Sequence, residues 1–565
     1  MRRFDSDDRS AHRRQPGWPA PNRLVAALAA AALVAALAFA GQAEARAAQA
    51  AKPNVVVVTT DDWTLRIASR MPNFRRLERL GTTFANAFVS YDLCCPARTT
   101  FLTGQYAHNH GVRSNFFLSG GGFKSFRGAR NSLPAWLQRA GYRTAFVGKY
   151  LNEYGSTAPR EIPPGWNDWH GLIDYSTYNY FNWAINENGR VHYHGDRAYA
   201  DALIAFARAG VEGRIRSVGD ALAVMKATFK PVDYYGLARE RDYQVDVVGR
   251  IADQALRRLI GAGAGGATGG PGKPFFLWYT PIAAHKEGDY ERVAGLRPGP
   301  PQSVDPRPPA RYAHTYDAVG PPSDPSIDEA DVSDKPASVS GRPLMTPDVV
   351  AGIRRNERGR LGAARAADDA VGRLLDTLRR AGQLDRTLFV YTTDQGYLQG
   401  QHRIPDNKYF AYEPGIHIPM VMAGPGVPRG RTVRDMVFNH DLAPTIVDAA
   451  HARAGRVMDG VSLLPRLHGS RLAPRDLALE ALQPSLTFKI GVPVFDLQAP
   501  YYGVRTDRYK YVKWSFGDEE LYDLRRDPYE LENLAGNPAD GALKARLAAE
   551  ARRLRACRGQ ACSRR

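Results

Sequence analysis

Carboxylate side chains follow two short hydrophobic runs in this sequence. Asp61 and Asp62 come directly after NVVVVTT, and Asp394 and Gln395 come directly after TLFVYTT. Carboxylate and amide oxygens are hard ligands that suit Ca²⁺ or Mg²⁺. An Asp-Asp pair that ends a strand is by itself more often a helix cap or a turn. Because two such ends occur in one chain, the pattern favours a divalent metal site at these four residues.

A cysteine pair precedes a proline in the segment LCCPAR, and Cys94 is its first member. Pro96 suits the first turn of a helix, which would place Cys94 at or just before the helix N-terminus. Free N–H groups and the helix dipole favour an anion there, so a thiolate could be activated. On this pattern alone, a buried thiol beside a helix cap is the more common structure.

The elements around these residues alternate between β-branched runs and amphipathic patterns, which predicts an α/β protein with a mainly parallel sheet. The run before Asp61 is apolar without alternation, as expected of a strand covered on both faces. Ligands of such sheets bind outside the carboxyl ends of the strands, where Lys149 and His285 would join the acids. The predicted strands span 54–60, 144–147, 274–280, 387–393 and 509–514, and the predicted helices span 132–140, 244–260, 363–381 and 537–555.

The chain divides by composition into four parts. Residues 1–45 resemble a secretory signal peptide, with Arg-rich sequence before an apolar run of seventeen residues and Ala43-Glu44-Ala45 as a cleavage site. We therefore expect a secreted or extracytoplasmic protein without a stable membrane span after cleavage. A membrane anchor is the alternative, and the general and twin-arginine export routes both stay open. We predict a catalytic domain at 52–470, a small C-terminal α+β subdomain at 471–556 and a tail at 557–565.

Two stretches within the catalytic part look like excursions from the core. Residues 261–273 are Gly-rich and predict a flexible loop, and residues 295–347 are rich in Pro, Asp and Ser. The second stretch predicts a surface insertion that could border a substrate cleft.

The formal net charge is +18. Residues 1–45 carry six Arg and four acids, so the mature chain would keep +16. This charge either concentrates a polyanionic substrate or reflects an Arg-biased composition. Nucleic acid is not favoured, because no compact Lys/Arg cluster occurs. Cys557 and Cys562 could form a disulfide in an oxidising compartment.

The cysteine segment resembles the signature of the sulfatase family. Cys94-x-Pro96-x-Arg98 is followed by Leu102-Thr103-Gly104, with Ala97 where Ser is more common. The resemblance implies an alkaline-phosphatase-like fold. It also implies that Cys94, not Cys95, is oxidised to formylglycine (3-oxoalanine) by a formylglycine-generating enzyme.

The resemblance continues along nearly the whole mature chain. Residues 148–154 (GKYLNEY) and 162–166 (IPPGW) look like those of N-acetylglucosamine-6-sulfatases and extracellular heparan endosulfatases. It implies a sulfated carbohydrate substrate of the glucosamine 6-O-sulfate type. Leu151 stands where many sulfatases carry His, and Gln395 stands where Asn is usual.

The resemblance also implies residue roles. Cys94 joins Asp61, Asp62, Asp394 and Gln395 as a metal ligand, with Ca²⁺ or Mg²⁺ as the ion. Arg98 would hold the hydrated formylglycine, while Lys149 and Lys408 would balance charge on the sulfate. The acid for the leaving alcohol would be His285, with His402 as the weaker candidate. We expect His108 and His110 to brace a helix and Asp441 to cap one.

Two other functions stay open on the sequence. One is a phosphonate or phosphate ester hydrolase on the same scaffold, because a fold does not fix the leaving group. The other is a non-catalytic, basic glycan-binding protein in which Cys94 is never oxidised. The sequence does not distinguish exo from endo action.

Overall fold

A computed structural model describes residues 52–230, 238–261, 273–287, 305–488 and 495–564. The predicted signal peptide and nearly all of the predicted Gly-rich loop lie outside these residues. None of the helices in the described ranges combines the length and the apolar character that a membrane crossing requires.

An eleven-stranded sheet forms the centre of the fold, with ten strands in the order β11-β2-β10-β8-β1-β7-β3-β4-β5-β6 and β9 paired to β2. The strands from β11 to β4 run parallel except β10, while β9, β5 and β6 are also antiparallel to their neighbours. The strands are β1 (Asn54–Thr60), β2 (Thr82–Phe88), β3 (Arg143–Gly148), β4 (Asp168–Leu172), β5 (Trp183–Glu187), β6 (Arg190–His194), β7 (Phe275–Thr280), β8 (Thr387–Thr393), β9 (His417–Ile418), β10 (Met420–Ala423) and β11 (Arg431–Phe438).

Helices cover both faces of this sheet. The helices are α1 (Leu65–Ala68), α2 (Pro72–Leu80), α3 (Cys94–Thr103), α4 (Ala107–His110), α5 (Gly122–Ser125), α6 (Leu133–Arg139), α7 (Arg197–Val211), α8 (Val218–Thr228), α9 (Gln244–Gly261), α10 (Ala337–Ser340), α11 (Pro347–Arg380), α12 (Glu413–Ile416), α13 (Leu442–Ala449), α14 (Leu464–Leu467) and α15 (Gly541–Arg555).

The four valines of β1 explain why helices pack on both faces of the sheet. Val55 and Val57 face a core that includes residues of α3, α6 and α13. Val56 and Val58 face a second core built with α2, α9 and α11. Successive side chains of a strand point to opposite faces, so an uninterrupted apolar run requires a helix layer on each side.

A small antiparallel sheet follows in the order β12-β15-β16-β17, with a separate β13-β14 hairpin. Its core residues and those of α15 belong to the same hydrophobic cluster as α3. These strands are β12 (Leu477–Ala481), β13 (Ser485–Phe488), β14 (Phe495–Gln498), β15 (Tyr501–Arg505), β16 (Tyr509–Trp514) and β17 (Glu519–Asp523). The fold class is confirmed: an α/β protein with a large mainly parallel sheet and a small C-terminal α+β part. The boundary at residue 470 stays a prediction.

Two predicted elements differ from the structure in their first residue. Helix α11 starts at Pro347 rather than at residue 363, because the Thr346 side chain accepts a hydrogen bond from the Val349 N–H and Pro347 occupies the first turn. Its first half buries Asn356, Glu357 and Arg360, so the apolar pattern there is weak. The last helix starts at Gly541, after a 3₁₀ turn at Pro538–Asp540.

The described part of the predicted surface insertion is not confined to the surface. Val332 and Val339 are buried and belong to the core that contains α3. Lys335 is buried as well and pairs with Glu329 at 3.1 Å. Part of this stretch therefore packs against the core, while most of its described residues are partly or fully exposed, as expected of a surface insertion.

Candidate active site

Four adjacent parallel strands deliver charged side chains to one edge of the sheet. In the order β8-β1-β7-β3, the strand ends are followed by Asp394, Asp61 with Asp62, His285 and Lys149. Thr60 of β1 pairs with Thr393 of β8, which brings the next residues of both strands together. One carboxylate oxygen from each of Asp61, Asp62 and Asp394 lies within 4.8 Å of the others. The predicted convergence of the three acids is therefore confirmed.

Arg98 joins two of these acids from helix α3. Its Nε lies 2.8 Å from Asp394 Oδ2, and a terminal guanidinium nitrogen lies 3.3 Å from Asp61 Oδ2. The other terminal nitrogen donates to the Lys149 carbonyl at 2.7 Å. The side chains of Arg98, Asp61 and Asp394 are all buried. A buried guanidinium with three oxygen partners neutralises the acids and fixes their positions.

Cys94 occupies the first turn of α3 and is only 1% exposed. Its sulfur lies 3.1 Å from Lys408 Nζ, 3.2 Å from Gln395 Nε2 and 3.9 Å from Asp61 Oδ1. Burial raises the pKa of the thiol, while nearby lysine ammonium groups oppose that change. Cys95 is equally buried and donates its backbone N–H to Asn115 at 2.9 Å, away from the acids.

Two lysines face the acids from different segments. Lys149 Nζ lies 2.5 Å from Asp61 Oδ2. Lys408 Nζ lies 2.8 Å from Asp62 Oδ1. Burial would raise the pKa of both carboxyls, but the lysine ammonium groups outweigh it, and both pKa values lie below the ordinary value. Both acids are therefore carboxylates near neutral pH, as metal ligands must be.

His285 lies at the open side of the cluster. Its Nδ1 faces the Lys286 carbonyl at 2.7 Å, so Nδ1 carries the proton of the neutral ring. Its Nε2 then faces Asp62 Oδ2 at 3.9 Å. Burial and the Lys408 ammonium lower the pKa of His285 to about 4. The Tyr178 ring packs against the imidazole with centroids 4.7 Å apart, and Lys149 Nζ lies 4.9 Å from the same tyrosine ring.

The other histidines lie in different surroundings. His402 Nδ1 lies 2.6 Å from Glu329 Oε2, and its ring packs on Tyr412, so none of its recorded contacts is to the Cys94 cluster. Its predicted role as an acid is not supported by this position. His110 Nε2 lies 3.1 Å from Thr100 Oγ1 of α3, as expected of a bracing residue. His108 also braces, by contacting Glu480 and the Cys557 carbonyl.

Asp441 caps the 3₁₀ turn Asn439–Asp441 rather than the α-helix that follows this turn. It precedes α13, but its side chain makes no hydrogen bond to that helix. The carboxylate instead pairs with Arg475 at 2.7 Å and accepts the N–H groups of Phe438 and Val461 at 2.9 Å each.

The acid cluster fits a hard divalent cation. Asp62 Oδ2 and Gln395 Oε1 are buried and have no hydrogen-bond partner among the described residues. Unsatisfied buried oxygens are rare in folded proteins, and a cation would satisfy both. Burial and the Asp61 carboxylate raise the pKa of Asp394 to about 6, because a buried site that already holds a like charge opposes ionisation.

A closed ring of contacts around the site was not predicted from the sequence. Arg360 of α11 donates to the backbone carbonyls of Asp62 and Ala284, and its guanidinium lies 4.2 Å from the centre of the Tyr397 ring. The Tyr397 hydroxyl donates to Asp406, which also pairs with Lys286. The ring thus ties the segments that carry His285 and Lys408 to the Asp62 loop. Only the positions of Lys286 beside His285 and of Asp406 near Lys408 offered a sequence signal.

Comparisons with known families agree on one assignment. A family model described as Sulfatase matches residues 53–452. A second model, described as N-sulphoglucosamine sulphohydrolase, C-terminal, matches residues 400–557.

Two curated relatives illustrate the range of similarity. The extracellular sulfatase SULF-1 homolog of Drosophila melanogaster is 30% identical over 77% of this chain, which spans 33% of that protein's length. The N-acetylglucosamine-6-sulfatase of Homo sapiens is 28% identical over 91% of this chain and 87% of its own length.

Two solved structures share the fold. A protein in complex with its substrate D-glucosamine-2-N,6-O-disulfate has a TM-score of 0.64 at 21% identity, over 89% of this chain and 97% of its own. A phosphonate monoester hydrolase of Agrobacterium radiobacter has a TM-score of 0.60 at 20% identity, over 89% of this chain and 95% of its own. At these identities the likeness concerns the fold alone.

Proposed function

This chain belongs to the sulfatase family, and on that premise we propose that it is an exported hydrolase of sulfate esters in sulfated carbohydrates. The observation that carries the proposal is the meeting of Asp61, Asp62 and Asp394 beside the Cys94 sulfur. Arg98, Lys149 and Lys408 pair with these acids, yet Asp62 Oδ2 and Gln395 Oε1 have no hydrogen-bond partner among the described residues, which is the state expected of metal ligands. The cysteine stands where a nucleophile could reach a group bound to that cation.

The charged residues of the site would stabilise the negative charge of the sulfate ester and of the nucleophile during the reaction. Asp61, Asp62, Asp394 and Gln395 would hold a Ca²⁺ or Mg²⁺ ion, which would supply Lewis acidity at this site. A formylglycine-generating enzyme would oxidise Cys94 to formylglycine, and a hydroxyl of the hydrated aldehyde would then serve as the nucleophile. Lys408 lies 3.1 Å from the residue 94 side chain and is placed to stabilise an oxyanion there.

The other charged groups of the site hold the acids in position or donate a proton to the leaving group. Arg98 holds Asp61 and Asp394 in place, and Lys149 adds an ammonium group beside Asp61. His285 is the proposed proton donor to the leaving alcohol. A bound sulfate ester places negative charge next to its ring and so favours the protonated form, which counters the lowered pKa of the free protein.

The substrate proposal is a glucosamine 6-O-sulfate unit. The similarity to N-acetylglucosamine-6-sulfatase over 91% of this chain supports it. The substrate named for the structural neighbour, a glucosamine disulfate, is of the same chemical class. Turnover of N-acetylglucosamine-6-sulfate, compared with glucosamine N-sulfate and 2-O-sulfated uronate, tests it. Preferred cleavage of either other ester would contradict the substrate.

The nucleophile is tested by intact mass and by a matched pair of variants. In active protein, the peptide with Cys94 should have the mass of formylglycine or its hydrate. We expect Cys94→Ala to abolish turnover without unfolding and Cys95→Ala to retain activity. An unmodified thiol in active native protein would refute the nucleophile. An unmodified, inactive protein that binds glycans would support the non-catalytic alternative.

The metal is tested by its effect on stability as well as on activity. Chelation should lower the thermal midpoint of wild type, because a ligand that binds only the folded state stabilises it. Asp394→Asn should reduce the shift that chelation causes. Restoration by Ca²⁺ or Mg²⁺, measured separately, identifies the ion. An unchanged midpoint after complete metal removal, checked by elemental analysis, contradicts a site at these acids.

Phosphonate ester hydrolysis is the second candidate, favoured by the fold shared with the phosphonate monoester hydrolase. Parallel kcat/KM measurements on matched aryl sulfate and aryl phosphonate esters separate the two. A large preference for phosphonate would replace the sulfatase proposal. Export is tested separately: cleavage near residue 45 in secreted protein supports it, and retention of residues 1–45 in the cytoplasm contradicts it.

A further inference from the structure

One basic segment lies next to the proposed site without taking part in it. We call residues 111–131 the basic segment, because it contains Arg113, Lys124, Arg127 and Arg130 and no Asp or Glu. All four basic residues are exposed. None of their side chains forms an ion pair with a residue in the described ranges, although Lys124 acts at longer range on Glu153 and Glu161. These charges are therefore available to an external anion.

Backbone contacts fix this segment against the site. The Asn115 side chain accepts the Cys95 N–H at 2.9 Å. The Phe117 N–H donates to Glu153 Oε2 at 2.9 Å, and the Phe123 N–H donates to the Asn152 carbonyl at 2.7 Å. The segment is thus anchored both to the helix that starts at Cys94 and to the stretch that follows Lys149.

A line of rings connects the segment to His285. Phe116 lies 6.4 Å from Tyr175, Tyr175 lies 5.7 Å from Tyr178, and Tyr178 lies 4.7 Å from His285, all between ring centroids. Phe116 and Tyr175 are partly exposed, while Tyr178 is buried. Beyond Phe116, the side chains of Phe117 and Leu118 are 39% and 54% exposed. Contiguous exposed apolar side chains mark a contact surface more often than a single exposed residue does.

From this arrangement we infer that the basic segment binds the units of a sulfated polysaccharide that flank the unit being desulfated. Flat aromatic faces pack against the apolar face of a pyranose ring, and unpaired guanidinium and ammonium groups pair with sulfates along the chain. The inference rests on the proposed function for its choice of glycan. It adds that this protein acts on units within a polymer better than on the free monosaccharide.

The test compares two charge-removal variants of equal size. The first is Arg113→Gln/Lys124→Gln/Arg127→Gln. The control is Arg79→Gln/Arg139→Gln/Arg386→Gln, whose residues are also exposed and form no ion pair with the part of the chain that the structure describes. They directly precede or lie near the amino ends of β2, β3 and β8, at the edge of the sheet opposite the site. Phe117→Ser provides a second, uncharged variant of the basic segment.

Binding is measured in the Cys94→Ala background with a sulfated glucosamine-containing dodecasaccharide and its unsulfated counterpart. We expect the first variant to weaken binding of the sulfated chain about tenfold, with less salt dependence than the parent, and the control to change it less than about twofold. Equal weakening by both variants, or no weakening by the first, overturns the inference. Tighter binding to phosphatidylserine vesicles than to the sulfated chain would assign the segment to membranes instead.

Turnover separates this inference from the proposed function. With residue 94 intact, kcat/KM on the dodecasaccharide should fall about tenfold in the first variant, while kcat/KM on N-acetylglucosamine-6-sulfate stays within about twofold. An equal fall on both substrates would overturn the inference, because it would mean that the reaction centre was disturbed. If wild type cleaves neither substrate, the proposed glucosamine 6-O-sulfate substrate is refuted, and the binding comparison still decides whether the segment holds the glycan.

Discussion

Lys408 is the residue that contacts both halves of the proposed reaction centre. Its ammonium group lies 2.8 Å from Asp62 Oδ1 and 3.1 Å from the Cys94 sulfur. A charge held within hydrogen-bond distance of a developing oxyanion stabilises it strongly when water is excluded.

We therefore expect Lys408→Met to lower kcat on a sulfate ester by about 10²- to 10³-fold. Circular dichroism should show an unchanged fold. Lys513→Met, at a partly exposed lysine 3.5 Å from Glu519 in the small sheet, is the control and should keep full activity. Wild-type kcat in the folded Lys408 variant would remove this residue from the mechanism.

The fold disfavours the charged form of Glu153. Burial raises its pKa to about 8, even though the Phe117 N–H bonds to its carboxylate. The unfolded chain ionises near the ordinary value, so ionisation costs stability increasingly as pH rises from about 4.5 to about 8.

Glu153→Gln keeps an acceptor for the Phe117 N–H and removes that charge. We expect the variant to be more stable than wild type at pH 8 by about 1–3 kcal/mol and equally stable at pH 4.5. Denaturant titrations at both pH values measure this difference. A stability gain that is the same at pH 4.5 and pH 8 would show that ionisation is not its cause.

At the scale of elements, one buried ion pair joins the large sheet to the start of the small one. Arg475, which precedes β12, pairs with Asp441, which follows β11. Their side chains are 4% and 0% exposed. Removing one partner leaves an uncompensated buried charge.

Arg475→Gln should therefore reduce the free energy of unfolding by about 3–5 kcal/mol. The double variant Arg475→Gln/Asp441→Asn should lose less than the sum of the two single variants, because neither partner then keeps an unpaired charge. Urea unfolding of the four proteins gives the coupling energy. Strict additivity would mean that the two side chains do not depend on each other.

The elements that were predicted well are those whose buried residues are mostly apolar. The apolar runs of β1 and β8 fixed the two strands and, through the parallel sheet, the meeting of Asp61 with Asp394. The first half of α11 was missed because its inward residues include Glu357 and Arg360, whose burial depends on partners distant in sequence. The position of His402 was missed because its Glu329 partner belongs to the stretch that was taken for a surface insertion.

At the scale of the whole molecule, the C-terminal residues 557–564 pack against the part of the fold that contains α3. Cys557 and Cys562 form a disulfide. The Cys557 carbonyl accepts from Asn109 at 2.9 Å, and the Gly559 N–H donates to Asp459 at 2.7 Å. The predicted tail at 557–565 is thus, as far as residue 564, a docked element.

Cys557→Ala/Cys562→Ala should lower the free energy of unfolding by about 2 kcal/mol, because the loop that the bond closes is short. Activity per folded molecule should stay unchanged, since the bond lies outside the acid cluster. Unfolding and turnover of the variant and of wild type, both without reductant, measure the two effects. Loss of activity at full stability would instead connect this segment to the site.

The deep burial of residue 94 has a consequence for how this protein is made. In the finished fold, Lys408 and Gln395 contact the Cys94 side chain and every residue of the LCCPAR peptide is buried, so another enzyme could not bind this peptide there. If formylglycine is installed here, the installing enzyme must meet the chain while this stretch is still extended. Oxidation of Cys94 then competes kinetically with folding, and chains that fold before they are oxidised remain inactive.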